Sequence, residues 1–524
     1  MAKILVTDGM AEAGVQALVA AGHEVDLRKV DESELLSIIG DYDGLVVRSA
    51  TEVTAAVLQA GAPRLRLVGR AGVGVDNVDT STATQLGIIV MNAPLGNILS
   101  AAEHTIGMVF AIARNIPQAA SKLQAGTWDK KSHIGIELHG KTLGIVGLGK
   151  IGKHVAEVLQ AAGMQVMAYD PFLTREVAES IGIEPVEELD DLLMQADVIT
   201  LHTPLTDKTR NMIDAHRLRL MKKTARLVNV ARGGIVDEQA LAEALQTGAI
   251  AGAALDVFAQ EPIESDHPLL SCPTCICTPH LGASTEEAQV RVSTDIADQF
   301  NIYFDEGRIV NAVNVQLRVD PAIDDYLQAA EQLGALVVQT LEKPLRSLEL
   351  RARGELASYD TRPLATAALK GALAQITEET VNVVNAQLIA EQRGIDLTHS
   401  STQQLRDWLA QLMIKATTSA GDHIIGGSLV NGQLRVMRFD DYRLDLPVEG
   451  NLLIIEYPDR PGMVGQYGSI LGKHQINIAR MEVCRVDGRG DALVILTVDD
   501  PVSDAVLEEL TQALKPLRIY RVGL

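Results

Sequence analysis

An arginine, a glutamate and a histidine stand at the ends of successive apolar runs. Arg232 follows "RLVNVA", Glu261 lies in the loop after "AGAALDVF", and His280 follows "CICTP". These three types are what hydride transfer between a hydroxy acid and a 2-oxo acid requires. A guanidinium can grip the substrate carboxylate with two bonds, where a lysine offers only a point charge. The hydroxyl proton must leave as hydride leaves, which calls for a base titrating near neutral pH. A carboxylate bonded to imidazole fixes its tautomer and favours its protonated form, so Glu261 and His280 could serve in both directions.

His280 also closes "SCPTCICTPHLGAS", where Cys272, Cys275, Cys277 and His280 read C-x2-C-x-C-x2-H. That spacing could hold a metal. A metal on His280 would occupy the lone pair that proton transfer needs. In an extended "TCIC" run Cys275 and Cys277 share one face and Ile276 the other, and buried strands use cysteine as a small hydrophobe. No metal is expected; the cysteines should be packing.

A dinucleotide would supply the hydride acceptor, and "GLGKIG" is G-x-G-x-x-G. The pattern is weak alone, but here it follows a strand, opens a helix, and precedes Asp170 at the end of the next strand. Gly147 permits the tight turn and Gly149 a close backbone approach to the pyrophosphate. The helix N-terminus meets that charge, and Gly152 allows helix and strand to pack closely. Asp170 can accept from the adenosine ribose hydroxyls and would repel a 2′-phosphate. Pro171 and Phe172 follow it, with no arginine to offset that repulsion. The expected cofactor is NAD.

The elements that must position these groups are legible as well. "KILVTDG", "HEVDLR", "GLVVRSA", "RLVGRAG" and "GIIVMNA" read as strands, with helices such as "AEAGVQALVAAG" between them. From Gly140 the alternation repeats through "KTLGIVGLG", "MQVMAYD", "ADVITLHTP", "ARLVNVARGG", "AGAALDVF" and "TCICTPH". Strands alternating with helices imply parallel sheets, and near-continuous apolar runs imply that both faces are covered. In the helix after the glycines, Val155, Val158, Leu159 and Ala162 have the spacing of one buried face. Residues at the carboxyl ends of such strands line the crevice: Thr203, Arg232, Asp256, Glu261 and His280. Arg48 and Arg70 end two strands of the first third and project toward the same crevice.

Beyond about Asn314 the pattern changes to a charged strand, "RSLELRARGEL", Ala-rich helical stretches, and the hairpin-like "IIGGSLVNGQLRVMRF". From Asn451 the order is βαββαβ, ferredoxin-like, with turns at "PDRPG" and "DGRGD". The 524 residues suggest three or four domains, and the 3% aromatic content makes their cores aliphatic. A net charge of −22 argues against nucleic-acid binding. No apolar run is long enough to span a membrane, no signal peptide is visible in "MAKILVTDGM", and four irregularly spaced cysteines fit a reducing compartment. A cytoplasmic protein is expected.

The runs "GRAGVGVDNVD", "GKTLGIVGLGKIG", "NVARGGIVDE", "GAALDVF", "EP" and "PHLGAST" resemble, in order and spacing, the D-isomer-specific 2-hydroxyacid dehydrogenases. The resemblance covers roughly the first 315 residues. It implies catalytic roles for Arg232, Glu261 and His280. It also implies cofactor contacts at Val73, Lys150, Ile151, Asp170, Thr203, the turn Val230, Ala231 and Arg232, Asp256, and His280, Leu281, Gly282 and Ala283. The implied organisation is a substrate-binding domain (1–98 plus 283–314), an NAD-binding Rossmann domain (99–282), an intervening regulatory domain (315–450) and an ACT domain (451–524). The fold class is thus α/β, with two doubly wound parallel-sheet (Rossmann/flavodoxin-like) domains followed by an α+β domain and a ferredoxin-like domain.

Within the family the tail is similar to that of long members acting on 3-phosphoglycerate. Resemblance to them implies NAD-dependent oxidation of 3-phospho-D-glycerate to 3-phosphohydroxypyruvate, the first committed step of L-serine biosynthesis. It places the phosphate on Arg48 and Arg70, with Lys130 reaching the site of a neighbouring subunit in a homotetramer. The likeness of "YPDRPGMVG" to ACT domains implies an L-serine effector on Tyr457, Asp459 and Asn477. The rival readings are a glyoxylate/hydroxypyruvate reductase, a D-lactate dehydrogenase or an NAD-sensing regulatory protein. Arg48 with Arg70, the acidic charge and the effector-binding tail weigh against all three.

Overall fold

A computed structural model describes residues 1–315, 319–404, 411–486 and 490–523. Of the expected turn at 487–491, residues 487–489 lie outside the described residues.

The first sheet is five parallel strands in the order Glu24–Leu27, Lys3–Val6, Gly44–Val47, Leu67–Arg70, Ile89–Asn92. This 2-1-3-4-5 order is flavodoxin-like. Helix Glu286–Glu306 returns to cover it, with Phe300 seated against Gly44, where a Cβ would lie 2.8 Å from the ring. Ser293 Oγ accepts from Ala11 N at 3.0 Å, and Asn314 Oδ1 accepts from Val90 N at 2.9 Å. The segment after Gly282 therefore packs with the start of the chain.

The second sheet has seven parallel strands: Cys275–Cys277, Gly252–Leu255, Arg226–Asn229, Val198–Leu201, Thr142–Val146, Gln165–Tyr169, Glu184–Pro185. Strand order reverses between Thr142–Val146 and Val198–Leu201, and a crevice opens at such a switch point. Helix Lys150–Ala161 covers one face, but its buried stripe is Gly152, Val155, Ala156 and Leu159. Val158, expected in that stripe, is 37% exposed. The stripe is set by Gly152, where a Cβ would collide with Gly147 O; that close approach turns Val158 to the flank.

A third, mixed sheet runs Asp396–Thr402, Ser347–Arg353, Leu412–Thr418, Gly421–Val430, Gln433–Phe439, Tyr442–Pro447. Helices Asp325–Gln339 and Arg362–Ala374 contribute to its core. The expected hairpin turns at Asn431 and Gly432, both left-handed (φ 53° and 78°), as a two-residue Asn-Gly turn requires.

The last sheet is antiparallel, in the order Ile478–Arg485, Asp491–Val498, Asn451–Pro458, Arg518–Gly523, with helices Met463–Lys473 and Asp504–Leu514 packed into its core. It has the ferredoxin-like strand order. Side chains from its other face, among them Leu452, Ile454, Leu493, Ile495 and Val522, join the core of the third sheet. Arg518 bridges the two units, pairing with Glu456 at 2.5 Å and Asp440 at 2.9 Å, while Tyr442 donates to Glu456 at 2.7 Å. Among the described residues no helix is long and apolar enough to cross a membrane.

Candidate active site

The loop after strand Cys275–Cys277 delivers His280 in the left-handed region (φ 54°), a conformation that costs energy for a non-glycine residue. Its backbone N–H is held by Asp256 O (2.9 Å) and Thr278 O (3.0 Å). Beneath the loop, the fully buried Asp256 carboxylate accepts from Thr278 Oγ1 (2.6 Å), Leu281 N (2.8 Å) and Gly282 N (2.8 Å), and pairs with His104 Nε2 at 3.2 Å. Burial opposes its charge, but those bonds, His104's first, hold it below the usual carboxylate range. Asp256 thereby anchors the loop of His280.

His280 Nδ1 donates to Glu261 Oε2 at 2.7 Å, and Glu261 Oε1 accepts from Phe258 N at 2.9 Å. Burial would raise the Glu261 carboxyl, yet the bonds from His280 and the Phe258 N–H outweigh it and hold it below its ordinary value. Nδ1 is thereby fixed as the donor and Nε2 left as the basic nitrogen. No cysteine competes for this imidazole. Cys275 and Cys277, their Sγ atoms 3.7 Å apart, pack on one side of their strand, and Ile276 packs into the core on the other. All four cysteines are free thiols.

Arg232 sits on a turn clamped by the buried Asn229, whose Oδ1 accepts from Ala231 N (3.0 Å) and whose Nδ2 donates to Arg232 O (2.9 Å). The next residue, Gly233, runs hard against Phe258 O, and Val230 lies against Gly282. The arginine turn, the glutamate loop and the histidine loop thus form one wall. Arg232 Nε pairs with Asp76 of the first unit at 2.9 Å, which leaves its Nη2 unengaged among the described residues.

Arg70 curls against Gly72, its Nε buried without a partner. Burial, then repulsion from Arg232 and Arg48, brings its guanidinium down to about 10, still protonated at neutral pH. Arg48 is held through its backbone: its N–H donates to Asp8 at 2.7 Å and its O accepts from Asn77 at 2.9 Å. Asp76 and Asp8 offset in part the charges of Arg232 and Arg48 at Arg70, and an anion would relieve what remains. Lys130 is exposed, and among the described residues it makes no hydrogen bond or ion pair.

The switch point fits a dinucleotide. Gly147 has φ 93°, and a Cβ there would lie 2.9 Å from Thr203 Cγ2. A Cβ on Gly149 would meet open space, and helix Lys150–Ala161 has no side-chain cap, which leaves its first N–H groups for an anion. Lys150 is exposed and Ile151 half-buried at that helix start. Thr203 Oγ1 is buried without a partner. The Asp170 carboxylate is braced by Leu148 N (2.8 Å) and Phe172 N (2.9 Å). Val73, Ala231 and Ala283 are half-buried, and Leu281 is exposed on the histidine loop.

The effector residues are not brought together. Tyr457 is 2% exposed, its ring against Tyr467 in the core. It therefore cannot contact an effector without rearrangement; a strand residue with its ring under the helices packs the core instead. Asp459 pairs with Arg485 at 2.8 Å, whereas Asn477 donates to Asp499 at 2.8 Å. Arg485 pairs with Ala492 and Ile478 with Val498, so the two residues stand at opposite ends of the sheet, roughly 25 Å apart.

Sequence reasoning missed Asn229, Asp76 and His104. Asn229 had a signal, a polar residue ending an otherwise apolar buried strand. Asp76 and His104 had none.

Comparison with known proteins agrees with this geometry. Residues 106–282 match the NAD binding domain of D-isomer specific 2-hydroxyacid dehydrogenases, 322–439 the D-3-phosphoglycerate dehydrogenase intervening domain, and 451–515 the ACT domain. The chain is 44% identical over 530 positions to the D-3-phosphoglycerate dehydrogenase of Synechocystis sp., covering 100% of this chain and 95% of that one. It is 43% identical to that of Methanocaldococcus jannaschii over 98% of both chains. Among solved structures, D-lactate dehydrogenase from Aquifex aeolicus, complexed with NAD and lactic acid, superposes with a TM-score of 0.53 at 27% identity. That match covers 59% of this chain and 98% of that one. With NAD as its cofactor and these domains in this order, the chain belongs to the D-3-phosphoglycerate dehydrogenase family of D-isomer-specific 2-hydroxyacid dehydrogenases.

Proposed function

We propose that the chain oxidises 3-phospho-D-glycerate to 3-phosphohydroxypyruvate, the first committed step of L-serine biosynthesis, as a cytoplasmic enzyme. The observation that carries this reading is the buried Arg70 guanidinium, its Nε without a partner and near enough to Arg48 and Arg232 to feel their charge, beside the wall that holds Arg232, Glu261 and His280. One carboxylate needs one guanidinium; a phosphate accounts for the other two. Arg232 holds the substrate carboxylate, and Arg48 and Arg70 hold the phosphate. His280 Nε2 takes the C2 hydroxyl proton as the C2–H bond breaks and C2=O forms. Glu261 stabilises the resulting imidazolium. A bound NAD would supply the acceptor for the C2 hydride. Thr203, Asp170, the glycine turn and the helix N-terminus of Lys150–Ala161 hold that cofactor, and Asp256 keeps the His280 loop in place. The direct test is NAD reduction by purified protein offered 3-phospho-D-glycerate, D-glycerate or D-lactate. Preference for the phosphorylated acid supports the reading; turnover of D-lactate alone overturns it.

The ACT unit implies a small-molecule effector, and L-serine, the product of the step's own pathway, is the effector proposed. Asp459 and Asn477 can share one ligand only if two copies meet. Strand Ile478–Arg485 is an edge with Met481 and Val483 exposed, and antiparallel pairing of two such edges brings one chain's Asn477 toward the other's Asp459. On the NAD-binding unit, helix Ile116–Gln124 buries none of its residues, and Trp128 and Ile134 are 85% and 81% exposed. A second interface there would carry Lys130 to a neighbour's site. Two interfaces of different kind build a homotetramer.

A further inference from the structure

The two regulatory units reach the first sheet through a small joint. Asn382 Nδ2 donates to Gly87 O at 2.6 Å, and Val383 and Val384 pack into the first sheet's core. Beside this joint lies a cavity of about 460 Å³, the size of a small-molecule site. Its floor is apolar, with Ala365, Val384 and Leu388. Its rim carries both signs of charge, Arg362 from the helix of the third sheet and Glu391 from helix Ala386–Gln392, with His399 alongside. Arg362 spends Nε and Nη2 on Asp360 and keeps Nη1 unengaged among the described residues. Thr366, 5% exposed, lines the cavity with a hydroxyl that makes no hydrogen bond among the described residues. The hydroxyl is accessible from the cavity and can donate to a ligand's acceptor.

We propose that this cavity is a second effector site, separate from the ACT unit, that takes an aliphatic α-amino acid. Arg362 and the Thr366 hydroxyl receive the carboxylate, Glu391 the ammonium group, and the Val384–Leu388 floor the branched side chain. The mixed charge disfavours a phosphate, which Arg48 and Arg70 of the active site suit better. Thr84 and Asn314 line the cavity from the first-sheet side, and Asn314 itself donates to Thr84 and Ile88 O. A ligand spanning the joint therefore favours one placement of the regulatory units over the catalytic ones.

The test is calorimetry on the full-length protein with L-valine, 3-methyl-2-oxobutanoate, isobutylamine and inorganic phosphate as separate probes. L-valine should bind, with each half-ligand weakened roughly tenfold or more. Arg362→Gln, on an exposed side chain, and Leu388→Trp, which fills the floor, should each weaken valine by at least about tenfold while NAD binding is unchanged. Valine binding should persist in Asp459→Ala. The proposal is overturned if valine gives no heat, if both variants bind it normally, if phosphate matches it, or if Asp459→Ala abolishes it.

Discussion

The Nδ1 of His280 donates to Glu261 across 2.7 Å, and this bond decides which imidazole nitrogen does the chemistry. The carboxylate is itself braced by Phe258 N and stays ionised below its ordinary range.

Glu261 holds His280 Nδ1 as the donor and leaves Nε2 to take the hydroxyl proton. Glu261→Gln, whose amide can turn its N–H toward Nδ1 and favour the wrong tautomer, should cut kcat by roughly a hundredfold with KM for NAD unchanged. Steady-state kinetics check both; a kcat within a few-fold of wild type would mean that the pair does not orient the base.

Asp256 and Glu261 also make stability depend on pH. Both carboxyls are depressed in the folded chain, so the stability they contribute is present above their ordinary values and is lost as pH falls below them. Asp256→Asn, leaving His104 and three donors facing a neutral amide, should destabilise by about 3 kcal/mol at pH 7. The gap should narrow below about pH 4. Urea denaturation at both pH values measures it, and a constant gap contradicts the linkage.

The strand and fingerprint reading came through because it rests on local chemistry. Gly147, Gly149, Gly152 and Asp170 are each tied to a turn or a strand end, and the parallel sheets follow from apolar runs. What was illegible depends on tertiary approach. Val158 has the right spacing but the wrong flank, because Gly152 sets how the helix lies. Tyr457 follows a motif yet points into the core. The Asn229 clamp joins side chain to turn in a way that no periodicity displays, and three of the strands in the third sheet were hidden among charged, alternating stretches.

Asp170 is braced from two sides, and its proposed role is to meet the adenosine ribose. Asp170→Asn keeps an acceptor and removes the repulsion. It should lower kcat/KM for NAD by roughly tenfold and raise that for NADP. Unchanged cofactor preference would place the discrimination elsewhere.

The exposed edge strand is the expected regulatory interface. Val483→Lys puts a charge in the middle of that pairing, so it should lower the assembly mass and abolish the response to serine while leaving serine-free kcat intact. Mass photometry alongside the assay reads both, and a full response from the dissociated variant would contradict a shared effector site.

The phosphate grip of Arg48 and Arg70 is the central claim, and Arg70 tests it most directly. Its Nε is buried without a partner among repelling charges, so Arg70→Met should leave the ligand-free protein more stable by about 1 kcal/mol. The decisive measurement is kcat/KM for 3-phospho-D-glycerate and D-glycerate in the wild type, Arg48→Ala and Arg70→Met. The expected result is a fall of a hundredfold or so for the phosphorylated acid, little change for D-glycerate, and an unaltered KM for NAD. Equal losses on both acids would show that these arginines do not read the phosphate.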